Sequence, residues 1–421
     1  MMYADAHKAA SHVSGERLWN RLMRLAEIGA TAKGGVNRQA MTPEDSQARA
    51  LMADWARGLG FSVQQDGIGN LFMRRDGRDI SRLPIVTGSH LDSQPTGGCF
   101  DGVLGVVMAL EALEAIQEAG IRTHHPLEIV AWMNEEGSRY GPVCMGSSVY
   151  VGRMGLAEAC ASVASDGAVL GDELPAALAA VAPAEERDFG APMAAYLESH
   201  IEQGPVLEEQ GVQLGIVSAI QGIRWFRCEV TGAEAHAGTT PRRMRRDAGQ
   251  AAMRMIAAME EAFTDEGDAI RFTVGQFHVD PGSPNVVPGR AAFSIDLRHP
   301  DAALLDTLSE QVHAICQEHR GPCQVTVEQV GGVAPVDLAP WMTGVLDDCA
   351  AELDVTRMTM PSGAVHDASN MAALCPTAML FIPSREGISH NEAEWSEPDA
   401  CRDGARLLAA SLVRIDERLS Q

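Results

Sequence analysis

Several stretches of the chain are apolar at consecutive rather than alternate positions, and each runs directly into charged or imidazole side chains. Residues 83–87 lead to His90, residues 127–133 to Glu135, residues 193–197 to His200, and residues 378–383 to His390. Unbroken apolar runs of this length predict strands covered on both faces, as in a parallel sheet. Open α/β sheets gather their functional groups at the carboxyl ends of such strands. Helical spacing fills the intervals over residues 17–28, 43–59, 103–119, 342–353 and 398–418. Thr42 supplies an N-cap and Pro43 a first-turn proline, and Gly60 and Gly120 close two of these helices. Residues 61–63 and 70–73 read as strands on either side of the turn Asp66-Gly67.

Between residues 223 and 330 the pattern changes. Alternating strands at 223–230, 271–279, 291–297 and 323–330 surround helices at 243–262 and 302–318. The order β-α-β-β-α-β is that of a ferredoxin-like split unit, able to form a small domain by itself. The expected organisation is therefore an α/β domain made of residues 1–214 and 332–421, interrupted by an α+β insert of residues 215–331. A chain of 421 residues is also too long for one small core, which agrees with two domains.

Candidate chemistry collects at the strand ends. Asp92, two residues beyond His90, is placed to accept the second ring N–H of that histidine. Gly97 and Gly98 let the next loop turn back, so that Asp101 meets His90. A histidine and an aspartate at a turn are also what an ordinary hydrogen-bonded loop carries. Glu135 and Glu136 would repel each other at a strand end unless a cation lay beside them; the alternative is a pair of exposed loop glutamates. His200 and His390 are placed like His90, and a single such histidine is commonly structural. In the insert, His236, Asn285 and Arg298 suit a carboxylate and a developing oxyanion, although polar residues of this kind are more commonly just ordinary loop polarity. Residues 361–368 predict a turn into a helix whose first N–H groups are open to an anion.

Charge and cysteine usage narrow the class. A net charge of −24 argues against nucleic acid and against anionic membranes as partners. The one dense basic cluster, Arg242, Arg243, Arg245 and Arg246, reads as a solvated helix face. Nine cysteines without CxxC pairs point to reduced thiols and a cytoplasmic protein. Cys99 and Cys144 fall near the candidate site, but no base adjoins either of them. No leader-like start and no run of membrane-spanning length are visible.

Taken together, the motifs GSHLDSQPTGGCFDGVLGV, NEEGSRYGP, ESHIEQGPVLE, HAGTTP, PGSPNVVPG, DLRH, SGAVHDA and GISHNE span nearly the whole chain. They resemble the hydantoinase/carbamoylase branch of the M20 metallopeptidase superfamily, which includes N-carbamoyl-L-amino acid hydrolases, allantoate amidohydrolases and β-ureidopropionases. The resemblance implies a metallopeptidase-like catalytic domain with a mixed sheet flanked by helices, and an inserted lid and dimerisation domain. It implies two divalent cations (zinc, manganese or cobalt) bridged by Asp101, with His90 and His200 on one and Glu136 and His390 on the other. Glu135 would be the general acid/base. Gln203, His236, Asn285, Arg298 and Gly363 would contact a ureido acid substrate, and Asp92 would support the ligands. His236 would serve the partner's site in a homodimer joined through residues 215–331, and closure of the insert would assemble the site. Val365 stands where a smaller residue is usual, and Cys99 at a variable position; both bear on substrate size. A metal-holding scaffold without catalysis would have no use for Glu135.

Overall fold

The structure is a computed structural model that describes residues 4–421. It divides into two compact units, one running through Ser218 and resuming at Leu338–Gln421, the other spanning Ala219–Asp337. The division falls a few residues beyond the positions expected from Gly215 and Gly332. The reason is local: Leu214–Ile220 is a strand of the large sheet, and Gly215 pairs with Phe381 inside it.

Four parallel strands form the centre of the large unit, in the order Thr377–Ile382, Ala195–Ile201, Ile85–His90 and Leu127–Trp132. Every residue in them is buried, which explains why their sequences do not alternate. Antiparallel strands extend the sheet on both sides: Leu214–Ile220 beside Thr377–Ile382, and Leu71–Arg75 followed by Ser62–Gln65 beyond Leu127–Trp132. The sheet is thus mixed, and its parallel strands deliver their carboxyl ends to one edge. The helix Val103–Glu118 is buried along almost its whole length and shares a core with the closing helix Pro398–Leu419. Each fully buried Val or Leu there contributes about 1.5–3 kcal/mol, so this packing stabilises the sheet that carries the strand ends. Thr42 accepts the Asp45 N–H and Pro43 starts its helix, as the sequence pattern predicts.

In the large unit the expected anion-binding helix start fails. Residues Arg357–Ser362 form a strand, and the helix expected after them shrinks to Ala368–Met371. Its first N–H, at Ala368, already donates to Glu198 Oε2 at 3.0 Å, so no anion cradle is formed.

In the smaller unit the strands Arg271–Thr273 and Phe277–Asp280, Arg290–His299, Gly222–Thr231 and Gln324–Val333 pair antiparallel in that order. Alternate residues of Arg290–His299 are buried, and one sheet face shares a core with helices Ala248–Ala262 and Ala302–His319. The arrangement is ferredoxin-like. The strand expected at 271–279 is interrupted at 274–276, around Gly275. The first helix begins at Ala248, not at 243, because the Asp247 side chain caps it by accepting the Gln250 N–H at 2.9 Å. The arginine cluster therefore precedes the helix, with Arg242–Met244 in a single 3-10 turn, and does not form the helix face expected of it. Among the described residues, no helix is long and apolar enough to cross a membrane.

Candidate metal centre

The strand ends of the large unit bring six side chains together. His90 ends its strand; Glu135 and Glu136 follow Leu127–Trp132; His200 lies one residue before the end of Ala195–Ile201. Asp101 comes from the loop before Val103–Glu118, and His390 from the loop after Thr377–Ile382. His90, Asp101 and His200 each place a ligand atom within 4.8 Å of the others, and Asp101, Glu136 and His390 do the same. Asp101 is common to both sets: its Oδ1 lies 3.3 Å from His200 Nε2 and its Oδ2 3.2 Å from His390 Nε2. Glu136 Oε2 is 3.4 Å from His390 Nε2. The backbone around the site is not relaxed: Asn134, Cys144, Gln203 and His390 all have φ between 51° and 58°, in the left-handed region.

The imidazoles are oriented as ligands. His90 Nδ1 faces the Asp92 carbonyl at 3.0 Å and His200 Nδ1 the Ile201 carbonyl at 2.9 Å. Each ring therefore donates from Nδ1 and turns its Nε2 lone pair into the site. The partner of His90 is the backbone oxygen of Asp92, not the carboxylate expected from the sequence. That carboxylate instead accepts the N–H groups of Glu135 and Glu136, at 3.1 and 3.2 Å, and so fixes the glutamate pair. Glycine is required at position 102, where φ is +67° and a Cβ would lie 2.3 Å from the His90 ring. A third ligand-like group, Glu198, His200 and His366, does not stand alone. It would need the same His200 Nε2, and the Glu198 oxygens already accept from Ser89, Tyr196 and Ala368.

Electrostatics fit a cation. Burial pushes the Asp101 carboxyl up, yet its His390 hydrogen bond and the His200 and His90 rings hold it below the ordinary carboxylate range. Burial and then the Asp101 charge push Glu136 up to about 8. Glu135 is driven well above its usual value by burial, then by Asp367, Glu136, Asp92 and Asp101. His390 is raised to about 9, first by its hydrogen bond to Asp101 and then by the charge of Glu136, against the effect of burial. A divalent ion would take the place of the protons that the raised Glu136 and His390 hold. Imidazole nitrogens and carboxylate oxygens are the donors that such ions as zinc, manganese and cobalt accept.

Glu135 belongs to neither ligand set but lies beside them. Its Oε2 is 3.5 Å from His90 Nε2, and its Oε1 accepts the Cys144 thiol at 3.3 Å. The thiol itself is pushed well up by burial and the Glu135 charge, which keeps it a donor and not a nucleophile. The Gln203 amide lies directly on Asp101, at 3.2 and 3.1 Å from its two oxygens, with Ser389 also at 3.2 Å. Gly363 follows the strand Arg357–Ser362 on an exposed loop. His236, Asn285 and Arg298 belong to the smaller unit. There His236 and Asn285 are neighbours: Val286 pairs with His236, and the Ala237 N–H donates to the Asn285 carbonyl at 2.9 Å. Arg298 sits eight residues along the strand from Arg290, held by Asp296 at 2.8 and 2.9 Å.

Two residues escaped the sequence reading. Buried Glu394 accepts the Phe100 and Asp101 N–H groups, both at 3.0 Å, and the Ser389 hydroxyl at 2.9 Å. It ties the loops of Asp101 and His390 together, but nothing about an acid four residues beyond a loop histidine marks it in the sequence. His366 stacks edge-on against His200 with ring centroids 4.5 Å apart. Its motif, SGAVHDA, is visible in the sequence; its proximity to a metal-ligand candidate is not.

The fold and this site belong to one class of protein: the chain is a member of peptidase family M20/M25/M40, whose model matches residues 86–414. Within that class it is 38% identical over 410 residues to an N-carbamoyl-L-amino-acid amidohydrolase of Rhizobium meliloti, covering 96% of this chain and 97% of that protein. A crystal structure of a hydantoinase/carbamoylase family amidase from Burkholderia multivorans superposes with a TM-score of 0.92 at 40% identity, covering 96% of this chain and 98% of that one. A ureidoglycolate hydrolase of Arabidopsis thaliana is 30% identical over 413 residues, 96% of this chain and 87% of that protein.

Proposed function

We propose that this protein hydrolyses the ureido C–N bond of N-carbamoyl-L-amino acids, giving amino acid, ammonia and carbon dioxide. The observation that supports it most is the joint one: the amidohydrolase likeness runs the length of the chain, and the acids and imidazoles it concerns lie within reach of one another. Two divalent cations would be held by His90, Asp101 and His200 and by Asp101, Glu136 and His390. When bound, such a pair polarises the carbonyl and acidifies water. The remaining work falls to the chain itself. Glu135, close to the ligands but in neither set, takes a proton from water and returns it to the leaving nitrogen. Asp92 keeps Glu135 and Glu136 in register through their N–H groups. Arg298 binds the substrate carboxylate, while His236, with Asn285 beside it, donates to the developing oxyanion. All nine cysteines are free, which supports a reducing, cytoplasmic location. The test is a panel of N-carbamoyl-L-amino acids, β-ureidopropionate, allantoate and ureidoglycolate, supplied with Mn²⁺ or Zn²⁺ and followed by ammonia release. N-carbamoyl-L-amino acids should turn over fastest; turnover of allantoate or ureidoglycolate alone would reassign the substrate.

We further propose a homodimer in which His236 serves the partner's site. Within the smaller unit, His236 follows the sheet end where Thr231 pairs with Arg290, in a separate strand pair with Val286, whereas Arg298 lies at the other end of that sheet, opposite Ile223. Eight residue steps separate Arg290 from Arg298, about 27 Å in an antiparallel strand. One small ureido acid cannot span that distance. Light scattering should report twice the 44.9 kDa chain mass, and a monomer in solution would overturn the arrangement.

A further inference from the structure

The arginine cluster is a sequence feature that the proposed chemistry leaves unused, and the structure separates its members. Arg242 and Arg243 are exposed, whereas Arg245 is partly covered and turned back onto the loop before it. Its Nε donates to the Thr240 carbonyl at 3.0 Å and its Nη2 to the Ala237 carbonyl at 2.5 Å. These two carbonyls bracket the tip of the loop that starts at His236. The base of the same loop is closed separately, by the Ala233 N–H on the Arg246 carbonyl at 2.8 Å. Inside the bracket the imidazole is already oriented. The Gly238 and Thr239 N–H groups both point at His236 Nδ1, at 3.0 and 3.1 Å, and the Thr240 N–H donates to the His236 carbonyl at 3.1 Å. Two backbone donors on Nδ1 leave the ring proton on Nε2, so the ring presents a hydrogen-bond donor outward from an exposed loop. Keeping residues 237–240 in this turn keeps that tautomer and direction. A planar guanidinium can hold two carbonyls at once, which a lysine ammonium does poorly.

We propose that Arg245 is a positioning residue for catalysis, acting through His236 by clamping the 237–240 turn. The inference rests on the reading of His236 as an oxyanion donor. The test is a double-mutant cycle in the metal-loaded, full-length enzyme with an N-carbamoyl-L-amino acid as substrate. His236→Ala should lower kcat by about 10²–10³-fold, the cost of losing one oxyanion donor. Arg245→Ala should lower kcat by about 10–10²-fold with KM changed much less, as expected for a displaced donor. The double variant should be no slower than His236→Ala alone, because the arginine has then lost the group it acts through. Millimolar guanidinium should restore part of the activity of Arg245→Ala and none of that of His236→Ala. Should Arg245→Ala fail to fold, Arg245→Gln carries the same comparison, with guanidinium rescue as the readout. Additive losses in the double variant, or unchanged kcat in a folded Arg245 variant, would overturn the proposal. Unchanged kcat in His236→Ala would instead overturn the reading of His236 itself.

Discussion

Glu135→Gln is expected to lower kcat by about 10²–10⁴-fold, the usual worth of a general acid/base, while metal content stays at the wild-type level. The substitution is nearly isosteric. It leaves untouched the backbone N–H that Asp92 accepts, and an amide oxygen can still take the Cys144 thiol. What it removes is the capacity to hold and release a proton. That capacity is built by the surroundings: burial first, then Asp367, Glu136, Asp92 and Asp101 raise the Glu135 carboxyl well above its usual range. A raised carboxyl accepts a proton readily near neutrality, and nearby cations would bring it back down far enough to start as a base. Steady-state kinetics beside elemental analysis of the same preparation settles the matter. A variant within about tenfold of wild type would remove Glu135 from its role.

Chelation is expected to abolish turnover, and reloading should release protons and weaken as the pH falls. The sign follows from the metal-free site. Glu136 sits at about 8 and His390 at about 9, so both hold protons at pH 7. A carboxylate must be ionised and an imidazole neutral to bind an ion, so uptake at pH 7 expels these protons. Affinity should therefore fall by about tenfold per pH unit for each proton displaced, below about pH 8 for Glu136 and below about pH 9 for His390. Asp101, already held below the ordinary range, adds no such dependence there. Calorimetric titration of metal into the stripped protein, in two buffers of different ionisation heat, counts the protons. Uptake without proton release, or full activity after exhaustive chelation, would contradict the metal centre.

Much of the large unit was legible because its signals are local. Consecutive apolar residues mark strands covered on both faces, and the ligand candidates stand at or just beyond their ends, so one-dimensional order already implied a shared edge. Where tertiary packing decides, the sequence misled. Asp92 is two residues from His90 and was the obvious carboxylate for its ring, but the strand end turns that carboxylate toward Glu135 and Glu136 and offers a carbonyl instead. Residues 361–368 look like a helix start, but pairing draws Arg357–Ser362 into strand and leaves one helical turn. The arginines before Ala248 have helical spacing, yet Asp247 is the better cap and the helix waits for it. Glu394 reaches Asp101 across nearly three hundred residues, which no local pattern encodes.

The four left-handed residues around the site carry a consequence for anyone who would harden this protein against heat. Non-glycine residues in that region cost of order 1–3 kcal/mol each, somewhat less for asparagine, and total folding stability is only about 5–15 kcal/mol. Relaxing Asn134, Cys144, Gln203 or His390 to glycine would ease the backbone, but the same positions hold Tyr140, Glu135, Asp101 and Glu136 in place. Thermal tolerance and turnover thus draw on the same few dihedral angles, and selection for one alone would erode the other.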